Sequence, residues 1–237
     1  MNTGTARVDW HESDDAGRWA AGAADDIANA LADALARKDR ARLLLSGGTT
    51  PAPVYARLAN ADLDWTRVDV GLVDERWLPP DDAHSNTRLL REHLLRERAA
   101  AAHFEPFAHA GDTLDDAVQA ANLDARQAAD IVVLGMGGDG HTASLFPGMH
   151  SLAQALASPQ AYVAVDAHGC PGAGPWPSRI SLTPAGLAPA TTRLLLLRGG
   201  EKRALLQRAL AGDDALELPV RIAFTTPGAR LRVHWCP

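Results

Sequence analysis

The sequence predicts an α/β fold built on a mainly parallel sheet flanked by helices, and three observations carry that prediction. Short aliphatic runs recur along the chain, within Arg42–Ser46, Val68–Val73, Ile131–Leu134 and Leu194–Leu197. Between them lie stretches whose apolar residues fall on one helical face. Glycine-rich turns stand where strands should pass into helices, at Gly47–Gly48, Gly135–Gly140 and Gly199–Gly200. Strands and helices alternating at this spacing fit parallel pairing through crossover helices. The chain has 237 residues, no repeat of fixed period and no low-complexity tract, so residues 1–237 read as one domain.

In chain order, Ala16–Arg37 is expected to be helical, with Trp19, Ile27, Leu31 and Leu35 on its buried face. Asp33 and Arg37 add an acid–base pair at i,i+4. Arg42–Ser46 reads as a strand that breaks into Gly47, Gly48, Thr49 and Thr50. Pro51 suits the first turn of a helix and opens Pro51–Leu58. Val68–Val73 is the next strand, ending in Asp74, Glu75 and Arg76, and Pro79 and Pro80 hold an extended loop. Ser85 or Asn86 opens a helix carrying Leu89, Leu90, His93 and Leu94, and Leu114–Ala128 forms another. Ile131–Leu134 suits a buried strand. Ser151–Leu156 is a short helix and Tyr162–Val165 a strand. His168–Pro177 is too rich in glycine and proline for either, and reads as a mobile or functional loop. Arg179–Leu182 is a short strand, after which Thr183 caps a helix that Pro184 begins. Leu194–Leu197 reads as a central strand, Gly199–Gly200 turn into the helix Glu201–Ala211, and Arg221–Phe224 and Leu231–Trp235 close the fold.

Composition narrows the function. Apolar residues make up 46% and charged residues 22%, as in ordinary globular proteins. A net charge of −6 argues against nucleic-acid binding, which calls for a basic excess or stripe. It leaves room for a small anion held by a few local cations. Cys170 and Cys236 have neither a CxxC partner nor a histidine at ligand spacing, which argues against a disulfide framework and fits a reducing compartment. The first fifteen residues are polar and acidic, with no apolar core of signal-peptide length, and no run reaches transmembrane length. The expected location is the cytoplasm.

Four strand ends carry chemistry, since ligands of open α/β sheets bind outside the carboxyl ends of strands. In LSGGTTP, Gly47 and Gly48 let backbone approach an anion, while Ser46, Thr49 and Thr50 add hydroxyls beside a helix start. This is a phosphate cradle or a plain strand-to-helix turn, and it is not a Walker loop, because no GKS or GKT follows. In VDERWLP, two acids and the fork-shaped Arg76 stand together, either as a two-point clamp for an anion or as a local ion-pair network. Asn86 nearby either binds or caps its helix.

The third strand end, VVLGMGGDGHTASLFPG, delivers Asp139 and His141 as candidates for proton transfer. Gly135, Gly137 and Gly140 also satisfy the dinucleotide pattern GxGxxG, and Asp166 lies at the end of the next expected strand. Against that reading, His141 follows the third glycine and Phe146-Pro147-Gly148 interrupts the long helix the pattern needs. The fourth is a pair of late cations, Arg179 and Lys202, which are solvated surface charges or the remainder of an anion site.

Taken in order, LSGGTTP, VDERWLPPDDAHSN, VVLGMGGDGHTASLFPG, RISLTPAGL and GGEKRALL resemble the 6-phosphogluconolactonase family, over the chain from about Ala20 to its end. The resemblance implies the Rossmann-like fold shared with glucosamine-6-phosphate isomerase/deaminase, without cofactor or metal. It also implies hydrolysis of 6-phospho-D-glucono-1,5-lactone in the oxidative pentose phosphate pathway. In the deaminases the third motif continues DGHIAFNEP, with a glutamate where this chain has Phe146. Their second motif reads Asp-Glu-Tyr where this chain has Arg76. Both differences favour the lactonase. Many lactonases carry proline before the DGH aspartate, where Gly138 makes this turn more flexible.

On that reading His141 is the base that activates water, oriented by Asp139, with Arg76 neutralising developing charge. Ser46, Gly47, Gly48, Thr49, Thr50, Arg179 and Lys202 hold the 6-phosphate, and Asp74 and Asn86 complete the substrate site. The expected partner is a small phosphosugar lactone, with no nucleic acid and no membrane, in a monomer or homodimer.

Overall fold

Ile131–Leu134 is the middle strand of a seven-stranded, wholly parallel sheet in the computed structural model, which describes residues 8–107 and 111–237. The first half of the chain runs through β1 (Val8–Glu12), α1 (Ala16–Leu35), β2 (Ala41–Leu45), α2 (Ala52–Leu58), β3 (Val68–Leu72), β4 (Asp74–Arg76), α3 (Asn86–His93) and β5 (His103–Phe104). It continues through α4 (Leu114–Asp124), β6 (Ile131–Leu134), α5 (Leu152–Leu156), β7 (Tyr162–Asp166), β8 (Ser178–Leu182) and α6 (Pro184–Leu187). The last elements are β9 (Thr192–Arg198), α7 (Gly200–Leu210), α8 (Ile222–Thr225) and β10 (Leu231–Cys236).

Strands lie in the order β1-β10-β9-β6-β2-β3-β5. The chain winds outward from β2 through β3 to β5, then crosses back to β6 on the other side of β2. The crevice between the ends of β2 and β6 is therefore the topological switch point. β2, β3 and β6 are buried at every position, which explains their near-continuous aliphatic sequence. α1 buries Trp19, Ala23, Ile27 and Leu31, and Asp15 caps it by accepting from the Arg18 N–H at 2.7 Å.

Not every expected strand joins this sheet. β7 and β8 pair antiparallel in a second, three-stranded sheet of order β4-β8-β7. The loop 168–177 between them is too short for the crossover that parallel pairing needs. Asp74–Arg76, expected as the loop end of a strand, is itself a strand of this small sheet. Val73 joins the two sheets: its N–H donates to the Leu45 carbonyl at 2.9 Å, and its carbonyl accepts from the Leu182 N–H at 2.8 Å.

Other differences have local causes. β1 falls within the N-terminal stretch that composition marked only as polar; it is an edge strand with no buried position. Residues 1–7 lie outside the described residues. α4 stops at Asp124 instead of Ala128, because the buried Arg42 guanidinium donates to the carbonyls of Asp124 and Gln127 and so takes over the helix end. At α3 the cap is Ser85, whose hydroxyl accepts from the Arg88 N–H, and Asn86 is the first helical residue. Glu75 turns into that helix start, where its carboxylate accepts from the Asn86 and Thr87 N–H groups and the Ser85 hydroxyl. No helix of the described residues is long and apolar enough to cross a membrane.

Candidate active site

A cleft of about 270 Å³ opens at the switch point. Its floor is the turn after β2, where Ser46, Gly47, Gly48, Thr49 and Thr50 line the cavity. Ser46 is held at both backbone ends, its N–H donating to the Val133 carbonyl and its carbonyl accepting from the Tyr55 hydroxyl at 2.7 Å. Among the described residues its buried hydroxyl has no hydrogen-bond partner, nor has the buried Oδ1 of Asn86, which packs against Gly47. The Asn86 side chain is fixed by donating from Nδ2 to the Asp74 carbonyl at 2.8 Å. Two buried polar atoms left open in one polar cleft mark places for ligand hydroxyl or phosphate oxygens.

The turn after β6 brings a carboxylate and an imidazole together. Asp139 Oδ1 lies 2.6 Å from His141 Nδ1 and accepts from the His141 backbone N–H at 3.1 Å. Because the carboxylate accepts, Nδ1 carries the hydrogen, and in the neutral ring the lone pair falls on Nε2. Burial would raise the Asp139 carboxyl, but the hydrogen bonds and charge of His141 outweigh it and hold the group below the usual carboxylate range. His141 lines the cleft, while Asp139 stands behind it. The buried Phe146 ring packs 4.4 Å from the imidazole. A Cβ on Gly137 would fall 2.2 Å from the same ring, so only glycine leaves the imidazole its place.

Facing this pair are the cations. Arg76 on β4 and Arg179 on β8 are directly opposed partners in the antiparallel register, and both line the cleft. Like charges so placed repel, an arrangement that an anion between them relieves. Arg179 is buried, and that burial lowers its pKa, with the charge of Asp74 opposing and that of Arg76 adding to the fall. Its guanidinium lies 5.1 Å over the Phe146 ring. Asp74 accepts from the Ser144 hydroxyl at 2.6 Å, and Ser144 in turn lies 3.4 Å from Arg179 Nη1. Lys202, in the first turn of α7, completes the wall; burial pulls its ammonium below the ordinary lysine range, with Asp139 opposing.

The structure thus brings Ser46 to Thr50, Asp74, Arg76, Asn86, His141, Arg179 and Lys202 onto one cleft, with Asp139 behind the imidazole. The glycines of the dinucleotide pattern are not followed by a helix: Thr142 and Leu145 form an isolated bridge, and α5 begins only at Leu152. The N–H groups that would hold a pyrophosphate at a helix start are therefore missing. Ser144 and Gly172 went unnoticed in the sequence, because neither residue type marks itself as functional outside a constellation. Among the described residues, two groups of side chains could offer a metal three ligand atoms, His11–Asp26–His234 and Asp69–His103–Glu105, and neither touches the cleft. Asp26 is occupied by Arg232 and His234, and Asp69 by Arg40 and His103.

A family model described as glucosamine-6-phosphate isomerases/6-phosphogluconolactonase matches residues 14–235. The chain is 52% identical to a 6-phosphogluconolactonase of Xylella fastidiosa (strain Temecula1 / ATCC 700964) over 99% of its own length and 98% of that protein's. Among solved structures, a 6-phosphogluconolactonase from Shewanella baltica OS155 superposes with a TM-score of 0.90 at 32% identity, covering 98% of this chain and 99% of the other. A monomeric glucosamine-6-phosphate deaminase shares the fold at a TM-score of 0.74 and 19% identity, over 94% of this chain and 96% of its own.

Proposed function

Since the chain belongs to the glucosamine-6-phosphate isomerase/6-phosphogluconolactonase family, we propose that it hydrolyses 6-phospho-D-glucono-1,5-lactone to 6-phosphogluconate. The observation that carries this reading is a single cleft holding a carboxylate-bonded imidazole opposite two opposed arginines. Phe146, buried beneath the imidazole where the deaminase motif carries glutamate, leaves His141 without a second carboxylate on that side. We assign the step to the oxidative pentose phosphate pathway in the cytoplasm.

Nε2 of His141 takes a proton from water, and the resulting hydroxide adds to the lactone carbonyl carbon. Negative charge moves to the carbonyl oxygen, where Arg76 stabilises it. As the intermediate collapses, the bond from that carbon to the ring oxygen breaks, and His141 returns its proton to that oxygen. Asp139 keeps the imidazole oriented and balances its transient positive charge. Ser46 to Thr50, Arg179 and Lys202 hold the phosphate, while Asn86 and Asp74 face the sugar; together they fix the carbonyl against the base.

The test is acid release from freshly prepared 6-phosphogluconolactone, with spontaneous hydrolysis subtracted and glucosamine 6-phosphate run in parallel. Acceleration of the first and none of the second is expected. Ammonia release from glucosamine 6-phosphate without lactone hydrolysis would assign the cleft to the deaminases.

Lys202 yields a prediction with a defined sign. Its pKa is lowered, and only the ammonium form attracts phosphate. Affinity for 6-phosphogluconate is therefore expected to fall as pH rises through that lowered value, below the ordinary lysine pKa of about 10.4. Lys202→Arg abolishes the fall in titration calorimetry, and a flat wild-type profile would take Lys202 out of the phosphate site.

A further inference from the structure

Gly172, in the loop between β7 and β8, lines the cleft. A Cβ on Gly172 would fall 2.3 Å from Asp139 Oδ2 and 3.1 Å from His141 Nδ1. Gly172 lies outside the left-handed region, so space and not backbone conformation demands glycine there. The loop reaches this position because Arg179 holds it: Nε donates to the Trp176 carbonyl at 2.9 Å and Nη2 to the Ala173 carbonyl at 2.6 Å. In the same loop, the Trp176 ring packs on His84 with centroids 4.0 Å apart. The carbonyl of His84 accepts from Arg76 Nη1. Each opposed arginine thus serves both the cleft and the backbone of one of the two loops that meet above it.

On the reading of the cleft given above, we propose that the substrate's phosphate, bound at Arg179, sets the segment 171–176 against Asp139 and so orients a base it does not touch. Gly172 is then a positioning residue, and Arg179 has a second role as the link. The phosphate's binding energy is realised at the reacting centre as geometry instead of as affinity alone. Misplacing a reacting group by about 1 Å costs up to roughly 10²-fold in rate, so a small loop shift suffices.

The experiment separates phosphate from lactone. Hydrolysis of unphosphorylated D-glucono-1,5-lactone is measured with and without phosphite dianion, against chloride at equal ionic strength. Phosphite is expected to raise wild-type turnover saturably, by roughly 10-fold or more. Gly172→Ala is expected to lose that activation and to lower kcat on the phosphorylated lactone by a similar factor. Its affinity for 6-phosphogluconate should stay within about 3-fold of the parent, a change of about 0.65 kcal/mol or less. A wild-type enzyme active on 6-phosphogluconolactone but indifferent to phosphite would overturn the coupling, as would full activation in Gly172→Ala. Wild-type indifference to phosphite overturns the coupling whether or not the variant folds, and if Gly172→Ala fails to fold, loss of phosphite activation in Arg179→Lys is the expected result, with full activation there overturning the link. No acceleration of 6-phosphogluconolactone hydrolysis by the wild type would sink the functional reading itself, which is a separate readout.

Discussion

Replacing His141 with Asn is expected to leave the phosphorylated ligand bound while lowering kcat by roughly 10²–10⁴-fold. The imidazole lines the cleft with Nδ1 committed to Asp139, so the residue's contribution is the free Nε2 lone pair. Asn offers an amide that still accepts a hydrogen bond but cannot take the water's proton at neutral pH. At about 1.36 kcal/mol per decade, the loss corresponds to about 3–5 kcal/mol of transition-state stabilisation. The phosphate contacts proposed for Ser46 to Thr50, Arg179 and Lys202 come from other elements, so 6-phosphogluconate affinity should change little. Near-parental turnover in His141→Asn would remove this residue from the chemistry.

The second large effect is expected at Asp139. An amide oxygen in place of Oδ1 can still accept from the His141 ring and backbone N–H, so the turn keeps its shape. What Asp139→Asn removes is the negative charge that balances the imidazolium as it forms. A fall in kcat of roughly 10²-fold is expected, with KM and product affinity nearly unchanged. The same substitution has a stability signature. The carboxyl is held below its usual range in the folded state, so it contributes stability above the unfolded pKa, and that contribution is lost as pH falls through the folded pKa. Urea unfolding followed from neutral pH into the acid range should show a shallower loss in the variant. Equal acid sensitivity in both proteins, with kcat unaltered, would show that the carboxylate acts on neither the base nor the fold.

These expectations rest on parts of the molecule that differ in how readable they are. Asp139 and His141 lie two residues apart in a glycine turn after a short apolar strand, so local sequence already places them together. The turn at Ser46–Thr50 is readable for the same reason. Arg76 and Arg179 are different. Each could be suspected alone, but their opposition depends on β4 pairing with β8, and nothing near Asp74–Arg76 names that partner. Tyr162–Val165 was recognisable as a strand, yet its sheet was not, because strand propensity is silent about which edge is chosen. Ser144 and Gly172 are invisible in isolation; the first acquires meaning by donating to Asp74, the second by lying against Asp139.

By itself, then, the sequence determined the α/β class, the family and the strand ends that meet at the cleft. Those properties live in short-range periodicity, in turn residues and in motif order. Only the tertiary structure decided that two arginines stand side by side on one cleft, that Gly172 lies against Asp139, and that Glu75 belongs to a helix start. Such features join elements far apart in the chain, where burial and the satisfaction of buried hydrogen bonds select one pairing among many that local propensity allows.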